Sequence, residues 1–261
     1  MIDKQRIANS FSNAAETYDS LADLQREVGS QLLSYLPEQQ PEELLDLGCG
    51  TGYFTTLLKN KYPQAYLYNL DLALGMLQYA RENRPAEYSS WLCADAENLP
   101  LADKSIGLIY SSLAIQWCEN LKQLFSEIQR VLKPGGQFVF ATLGPKTLSE
   151  LKTAWAAADT HIHVNRFVDQ QELQNHICEN LKLESFEEEF KVLKYQELKG
   201  LTDELKGIGA HNMNSGQPTG LVGRERLRRF KAGYEEQRLS DGMLPATYQV
   251  FYVVVEKPLE N

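Results

Sequence analysis

The chain has few cysteines, and none of them is spaced as a metal site or a redox motif requires. Cys49, Cys93, Cys118 and Cys178 are the only four in 261 residues, and no C-x-x-C pair occurs. Structural zinc sites and disulfide frameworks depend on clustered or numerous cysteines. We therefore expect no metal, no disulfide, and free thiols in a reducing, cytoplasmic environment.

The chain also lacks long hydrophobic runs and an excess of positive charge. No apolar run approaches the length of a membrane span, and the first residues do not begin a signal peptide. The 26 basic residues are outnumbered by 35 acidic ones, giving a formal net charge of −9. This balance argues against nucleic acid as the main partner. Hydrophobic residues make up 43% of the chain, enough for the core of one large α/β domain.

What the chain does have is a glycine-rich turn between a predicted strand and a predicted helix. An apolar run that contains Asp46 is followed by Gly48, Gly50 and Gly52, and then by the helical pattern of residues 53–61. Glycines permit unusual backbone angles and let a ligand approach the main chain. The free N–H groups at the start of the following helix attract anionic groups. The pattern predicts a nucleotide-like or amino-acid-like ligand at the carboxyl end of a parallel strand.

The spacing of these glycines indicates which nucleotide is expected. The dinucleotide fingerprint is G-x-G-x-x-G, whereas here the third glycine comes one residue early and Tyr53 stands in its place. The form Asp46-x-Gly48-x-Gly50-x-Gly52 resembles the glycine loop of class I S-adenosylmethionine-dependent methyltransferases. A nicotinamide-dependent oxidoreductase is the alternative from another class, and the early third glycine argues against it. A glycine-rich turn without a ligand is the simpler alternative.

The rest of the chain alternates strands and helices after two amphipathic N-terminal helices. Strands are predicted at 44–48, 65–70, 89–94, 106–112, 137–142, 183–193 and 247–255, and helices at 53–61, 73–83, 120–132, 146–158 and 169–178. This alternation predicts a parallel sheet covered on both faces. Residues 133–136 are predicted to be a helix stop and a turn, and residues 195–245 a mostly helical insertion.

Two acidic residues at predicted strand ends are candidates for the nucleotide. Asp71 follows the glycine loop at the distance where an acidic side chain accepts hydrogen bonds from ribose hydroxyls, although it could also cap the next helix. Asp95 resembles the methyltransferase residue near the adenine edge, or it could simply form a turn. The segment 111–117 should border the transferable methyl group, with Trp117 either a pocket wall or a core aromatic.

Four further segments resemble one methyltransferase family, the malonyl-acyl-carrier-protein O-methyltransferases of biotin synthesis. They lie at 11–26, 113–118, 163–167 and 198–212, so that the resemblance covers nearly the whole chain. It implies an α/β, Rossmann-like, seven-stranded and mostly parallel sheet with one reversed strand. Within a single domain, 1–261, it implies an N-terminal helical lid (residues 1–36) and a helical cap (residues 195–245) before the last strand. Thr51 stands where relatives can carry proline, a departure that should leave the turn intact.

The resemblance also implies the ligands. The methyl donor would be S-adenosylmethionine, with Tyr18 and Gln25 closing over it from the N-terminal lid. The predicted donor-binding residues are Tyr18, Gln25, Asp46, Gly48, Gly50, Asp71, Leu72, Asp95, Ala96 and Leu113. The acceptor would be the free carboxylate of a malonyl thioester on acyl carrier protein. The predicted acceptor-binding residues are Gln116, Trp117, His163, Arg166, His211 and Asn212.

A carboxylate acceptor needs little acid–base catalysis. With a pKa of about 4 it is already ionised near neutrality, so no catalytic base is predicted. Alignment and exclusion of water should do the work, and a cation or hydrogen-bond donor must hold the carboxylate because burying it unpaired is costly. Arg166 could instead pair with a surface carboxylate, Tyr18 could be a core tyrosine, and His211 could be a turn residue.

A cluster of cations near the C-terminus could receive an acidic carrier protein. Five cations stand against one acidic residue between 224 and 231: Arg224, Arg226, Arg228, Arg229 and Lys231. Leu227 and Phe230 are expected to anchor this helix while the cations face outward. A solvated helix face is the alternative interpretation. Methylation of a quinone precursor or a free carboxylic acid, and a binding protein without catalytic activity, also remain open.

Overall fold

A computed structural model describes residues 3–84, 87–177, 181–210 and 223–259. The strands are β1 (Glu43–Leu47), β2 (Tyr66–Asp71), β3 (Ser89–Cys93), β4 (Ile106–Ser112), β5 (Leu132–Leu143), β6 (Lys182–Tyr195) and β7 (Leu244–Glu256). The α-helices are α1 (Lys4–Leu21), α2 (Asp23–Leu32), α3 (Tyr53–Lys61), α4 (Leu74–Asn83), α5 (Leu121–Val131), α6 (Ser149–Ala156), α7 (Gln170–Ile177), α8 (Leu198–Gly207) and α9 (Arg224–Glu235). None of the helices within these ranges combines the length and the hydropathy that a membrane span needs.

The seven strands form one sheet in the order β3-β2-β1-β4-β5-β7-β6. Neighbouring strands from β3 to β5 are parallel, whereas β7 runs antiparallel to both β5 and β6. The predicted seven-stranded sheet with one reversed strand is therefore confirmed. Because the order reverses direction at β1 and β4, their carboxyl ends open a crevice of the kind that binds ligands in such sheets.

Both faces of the sheet are covered, as the continuous apolar strands require. Along β5, Phe138 and Phe140 pack on one face, while Val139 and Ala141 pack on the other. Along β7, Tyr252 and Val253 likewise pack on opposite faces. Side chains alternate across a strand, so two-sided burial explains why these strands read as unbroken hydrophobic runs.

Strand β5 begins earlier than the sequence predicts. Residues 133–136, predicted to be a turn, form an irregular part of the strand, since Leu132 pairs with Ile106 and Gln137 then pairs with Leu108. Gly135 has a φ of +76°, and its N–H donates to the carbonyl of Lys257. The Lys257 ammonium in turn donates to the carbonyl of Leu132 at 2.8 Å. A contact with the distant C-terminal segment thus holds this stretch in the sheet.

The two N-terminal helices play different parts. Helix α2 packs into the core through Leu24, Val28 and Leu32. Helix α1 lies instead against α4, where the Gly75 N–H donates to the Ser12 hydroxyl at 3.1 Å and a Cβ on Gly75 would lie only 2.7 Å from Ser12. This close approach places α1 over the carboxyl ends of the strands.

Strand β1 ends near a buried carboxylate. Asp46 is 2% exposed, and its Oδ2 accepts a hydrogen bond from the Thr55 hydroxyl on α3 at 2.9 Å. Burial, despite this hydrogen bond, raises the pKa of Asp46 from 3.8 to about 7. Asp46 therefore joins the strand to the helix after the glycine loop.

The raised pKa predicts how stability changes with pH. Between pH 3.8 and about 7 the folded protein binds the Asp46 proton more tightly than the unfolded chain does. The free energy of unfolding should therefore fall as pH rises through this window, by up to about 1.4 kcal/mol per pH unit from this group. Asp46→Asn, which keeps an oxygen for Thr55, should remove that part of the slope. Urea unfolding of both proteins from pH 4.5 to 8 measures it, and parallel pH profiles would contradict the prediction.

Candidate functional site

The glycine loop between β1 and α3 adopts the backbone that only glycine takes easily. Gly48 and Gly50 have φ values of +76° and +54°. A Cβ on Gly48 would lie 2.3 Å from the Cβ of Ala114, whereas a Cβ on Gly50 would meet nothing within 4 Å. Gly48 thus allows close packing of the loop on the segment after β4. Gly50 leaves open space beside the main chain, where a ligand can approach.

Asp71, at the carboxyl end of β2, fixes this loop. Its Oδ2 accepts the N–H of Gly50, and its Oδ1 accepts the N–H of Ala73, each at 2.8 Å. Burial raises the pKa of Asp71, and the backbone N–H groups oppose that rise. The sequence left helix capping open as the alternative role, but α4 has Ala73 at its N-cap, and Asp71 instead fixes the turn before it. The carboxylate can still accept a hydrogen bond from a ligand hydroxyl.

A cavity of about 110 Å³ adjoins the loop and Asp71, and we call it the donor cavity. Eight of the ten predicted donor residues line it: Tyr18, Gly48, Gly50, Asp71, Leu72, Asp95, Ala96 and Leu113. The other two, Asp46 and Gln25, do not. Asp46 is buried beneath the loop, bonded to Thr55, and Gln25 faces a second cavity.

Helix α1 closes the donor cavity through charged contacts that the sequence analysis did not predict. Lys4 donates to Asp95 at 2.5 Å and approaches Glu97 at 2.8 Å. At the other end of α1, Asp19 accepts from the Thr51 hydroxyl and pairs with Arg84, each at 2.6 Å. Thr51, the departure from the family pattern, therefore bonds the glycine loop to the N-terminal lid. No sequence motif marks Lys4 or Thr51, so their partners Asp95 and Asp19 could not be predicted.

A second cavity, of about 250 Å³, lies beside the first, and we call it the acceptor cavity. Among the described residues, four line both cavities and separate them: Phe11, Tyr18, Leu113 and Trp117. Leu113 has a φ of +51°, a strained angle for a side chain of this kind, and its carbonyl accepts from Gln116 at 2.6 Å. Phe11 meets Trp117 edge to face, with ring centroids 5.3 Å apart.

The predicted acceptor residues divide into three groups. Gln116, Trp117 and His163 line the acceptor cavity. Arg166 does not, because its side chain is 82% exposed and pairs with Glu172 at 2.9 Å. This pairing with a surface carboxylate is the alternative that the sequence left open. His211 and Asn212 lie outside the described residues.

His163 is held firmly in the cavity wall. Its Nε2 lies 2.8 Å from Oδ1 of Asp159, and its ring stacks on Trp155 with centroids 3.7 Å apart. Trp155 stacks in turn on Phe230 of α9, at 3.9 Å. Two ring contacts therefore separate α9 from the acceptor cavity.

The cations of α9 are only partly available to a partner. Arg228 and Arg229 both contact Glu225 on the same helix, at 2.8 and 3.4 Å. Arg226 pairs with Asp159 at 3.3 Å. Arg224 and Lys231 are exposed. Phe230 is buried as predicted, whereas Leu227 is 38% exposed and does not anchor the helix.

The thiol and the phenol that line the donor cavity are poorly suited to acid–base chemistry. Burial raises the pKa of the Cys118 thiol to about 12, with Glu97 and Asp95 adding to the effect. Burial, with Asp71 and Asp19 nearby, also raises the pKa of Tyr18. Both groups therefore stay protonated near neutrality. In the described part of the chain, no three His, Cys, Asp or Glu side chains gather as metal ligands would.

Comparison with known proteins agrees with this geometry. A family model described as a methyltransferase domain matches residues 45–140, which hold the glycine loop, Asp71 and Asp95. A chain of the solved complex containing the Haloferax volcanii Trm112 methyltransferase activator shares the fold with a TM-score of 0.63. It is 18% identical, and the match covers 98% of this chain and 99% of that one.

Curated relatives match almost the whole sequence. The biotin biosynthesis bifunctional protein BioHC of Cellvibrio japonicus is 49% identical over 98% of this chain, which spans about half (51%) of that protein's length. The malonyl-[acyl-carrier protein] O-methyltransferase of Methylovorus sp. is 42% identical over 99% of this chain and 90% of its own length. The chain therefore belongs to the malonyl-[acyl-carrier protein] O-methyltransferase family of S-adenosylmethionine-dependent methyltransferases.

Proposed function

We propose that this chain transfers a methyl group from S-adenosylmethionine to the free carboxylate of a malonyl thioester carried by acyl carrier protein. The observation that supports this most is the pair of adjoining cavities, separated by Phe11, Tyr18, Leu113 and Trp117. The Methylovorus relative is named for this activity. The product would be the malonyl methyl ester with which biotin synthesis begins, and a cytoplasmic location belongs to the same proposal.

The donor cavity has the hydrogen-bonding groups that the adenosine part of S-adenosylmethionine requires. Asp71 and Asp95 both line this cavity. The Asp71 carboxylate would accept hydrogen bonds from the ribose hydroxyls, and Asp95 would approach the adenine edge. Open space beside Gly50 admits the rest of the molecule. When bound, S-adenosylmethionine supplies a methyl group on a positively charged sulfur. The protein holds that methyl group beside the four residues that separate the cavities, and it keeps water out.

The acceptor cavity suits a reaction in which opposite charges cancel. A carboxylate attacks as it stands, since its pKa of about 4 leaves it ionised near neutrality. Its charge and that of the sulfonium both diminish as the new bond forms. Apolar walls such as Leu143, Leu148 and Leu151 solvate the neutral product state better than the separated charges. No side chain needs to take up a proton.

The carrier protein would dock over α9. This helix lies two stacked rings from the acceptor cavity, and its outer face carries Arg224, Arg228, Arg229 and Lys231. Although the chain as a whole is acidic, this local positive charge would attract an acidic carrier. Glu225 reduces that attraction because it pairs with two of the arginines.

A direct assay tests the proposed reaction. Incubation with S-adenosylmethionine and malonyl-acyl carrier protein should add the mass of one methylene group to the carrier, detected by intact-protein mass spectrometry. Malonyl-coenzyme A, a free dicarboxylic acid and a quinone precursor serve as competing acceptors. Preference for one of the small acids, or no mass gain with donor binding intact, would reject the proposed acceptor.

Donor binding should depend on Asp71. Asp71→Asn keeps only one acceptor oxygen for Gly50, Ala73 and the ribose, so the Kd for S-adenosylhomocysteine should rise about tenfold to a hundredfold. Calorimetry measures this, with the exposed Asp103→Asn as a matched acidic control. NAD should not bind the wild-type protein. Unchanged affinity in Asp71→Asn with the fold intact would contradict the ribose role.

Carrier docking should depend on the α9 cations. The double change Arg228→Glu and Arg229→Glu should raise KM for malonyl-acyl carrier protein at low salt, since it reverses two charges facing an acidic partner. Glu225→Gln should have the opposite effect because it releases both arginines. KM for a small malonyl thioester should change in neither variant. Equal kinetics of all three proteins with the carrier would refute docking on α9.

A further inference from the structure

The described residues that line the acceptor cavity include one permanent charge. Among the described residues that line it there is no aspartate, glutamate or arginine, and Lys206 in the last turn of α8 is the only cation. Lys206 is exposed to solvent although it lines the cavity. Within the described ranges, its ammonium forms no ion pair or hydrogen bond. A negatively charged substrate entering this cavity therefore meets a cation that the described fold does not use.

Cations near the cavity differ from Lys206 because the protein itself engages them. Arg166 pairs with Glu172 at 2.9 Å, and Arg226 pairs with Asp159 at 3.3 Å. The Lys152 ammonium donates to the carbonyl of Pro145 at 2.7 Å. Recruiting any of these for a ligand would first break an existing contact. Lys206 needs no such exchange.

The backbone that carries Lys206 is fixed beside the N-terminal lid. The carbonyl of Gly207 accepts a hydrogen bond from the Thr17 hydroxyl at 2.8 Å, and that of Gly209 accepts from the Ser10 hydroxyl at 3.0 Å. A Cβ on Gly207 would lie 2.1 Å from the Leu21 side chain, so glycine lets α8 approach α1 closely. The flexible stem of Lys206 therefore starts from a fixed point near Tyr18, which borders both cavities.

Gln25 supplies a second polar group in the same wall. Its Oε1 is buried and has no hydrogen-bond partner in the described structure. An amide carries both an acceptor oxygen and an NH₂ donor, and a half-turn about its terminal bond exchanges them. Gln25 on α2 and Lys206 on α8 thus face one cavity from separate elements.

We propose that Lys206 binds the free carboxylate of the acceptor and selects charged over esterified thioesters, with Gln25 as its neutral companion. This assignment rests on the proposed function. Burying a carboxylate without a partner is costly, and among the described residues that line the cavity the cation is Lys206. Esterification removes the carboxylate charge, so the product loses this attraction and is released more readily.

The chemistry favours a mobile lysine over a rigid, buried cation. Negative charge on the carboxylate decreases toward the transition state, so a strong ionic contact stabilises the reactant more than the transition state. An ammonium on a flexible stem at the rim can bind the substrate and then weaken its contact as the methyl group approaches. The contribution of Lys206 should therefore appear in KM and not in kcat.

Steady-state kinetics of Lys206→Met and Lys206→Arg test this assignment, with Lys199→Met as a matched control. Lys199 lies on the same helix, pairs with Asp203 and does not line the cavity. The substrates are malonyl-acyl carrier protein and malonyl-N-acetylcysteamine, which has neither phosphate nor carrier. Lys206→Met should raise KM about tenfold to a hundredfold for both, with kcat unchanged or higher. Lys206→Arg should restore most of the affinity.

A binding measurement isolates the charge. Wild-type protein should bind malonyl-N-acetylcysteamine more tightly than its methyl ester, and Lys206→Met should bind the two alike. Unchanged KM in Lys206→Met would overturn the assignment, as would a rise confined to the carrier substrate, which would indicate contact with the carrier or its arm. Affinity for S-adenosylhomocysteine should stay constant in every variant, which verifies folding. A wild-type protein inactive on both thioesters would reject the proposed function itself.

Discussion

The hydrogen bonds of the Asp71 carboxylate organise the candidate site. By accepting the N–H groups of Gly50 and Ala73, Asp71 ties the glycine loop after β1 to the turn that begins α4. Helix α4 in turn supports α1 through Gly75 and Ser12. The donor cavity, the N-terminal lid and the wall shared with the acceptor cavity all depend on this arrangement. The cost of burying Asp71 is thus offset by backbone contacts that set the geometry around it.

Features determined by local sequence could be predicted, because their cause is local. Glycines at 48, 50 and 52 predict a turn with left-handed backbone angles, and alternating strands and helices predict a mostly parallel sheet. Neither prediction depends on the rest of the sequence. The bounds of β5 were less predictable. Its first residues stay in the sheet through contacts with Lys257, which follows more than a hundred residues later in the sequence.

The direction of long polar side chains could not be predicted from sequence. Arg166 and Lys206 are both basic residues in segments that resemble the family, yet one pairs with Glu172 and the other lines the acceptor cavity. Gln25 lines the acceptor cavity and not the donor cavity, while α2 packs into the core through other residues. The direction of such a side chain depends on which helix, distant in sequence, packs against its own. The spacing of residues along one helix does not contain that information.

Helix α1 borders both cavities through Phe11 and Tyr18. Lys4 joins it to Asp95 beside the donor cavity, and Thr17 joins it to α8 of the helical cap. One helix therefore borders the sites proposed for both ligands. Movement of α1 away from the sheet would expose both cavities together, so the departures of the two products would share one barrier. Opening of α1 would then be one step shared by the donor and acceptor sites, separate from methyl transfer itself.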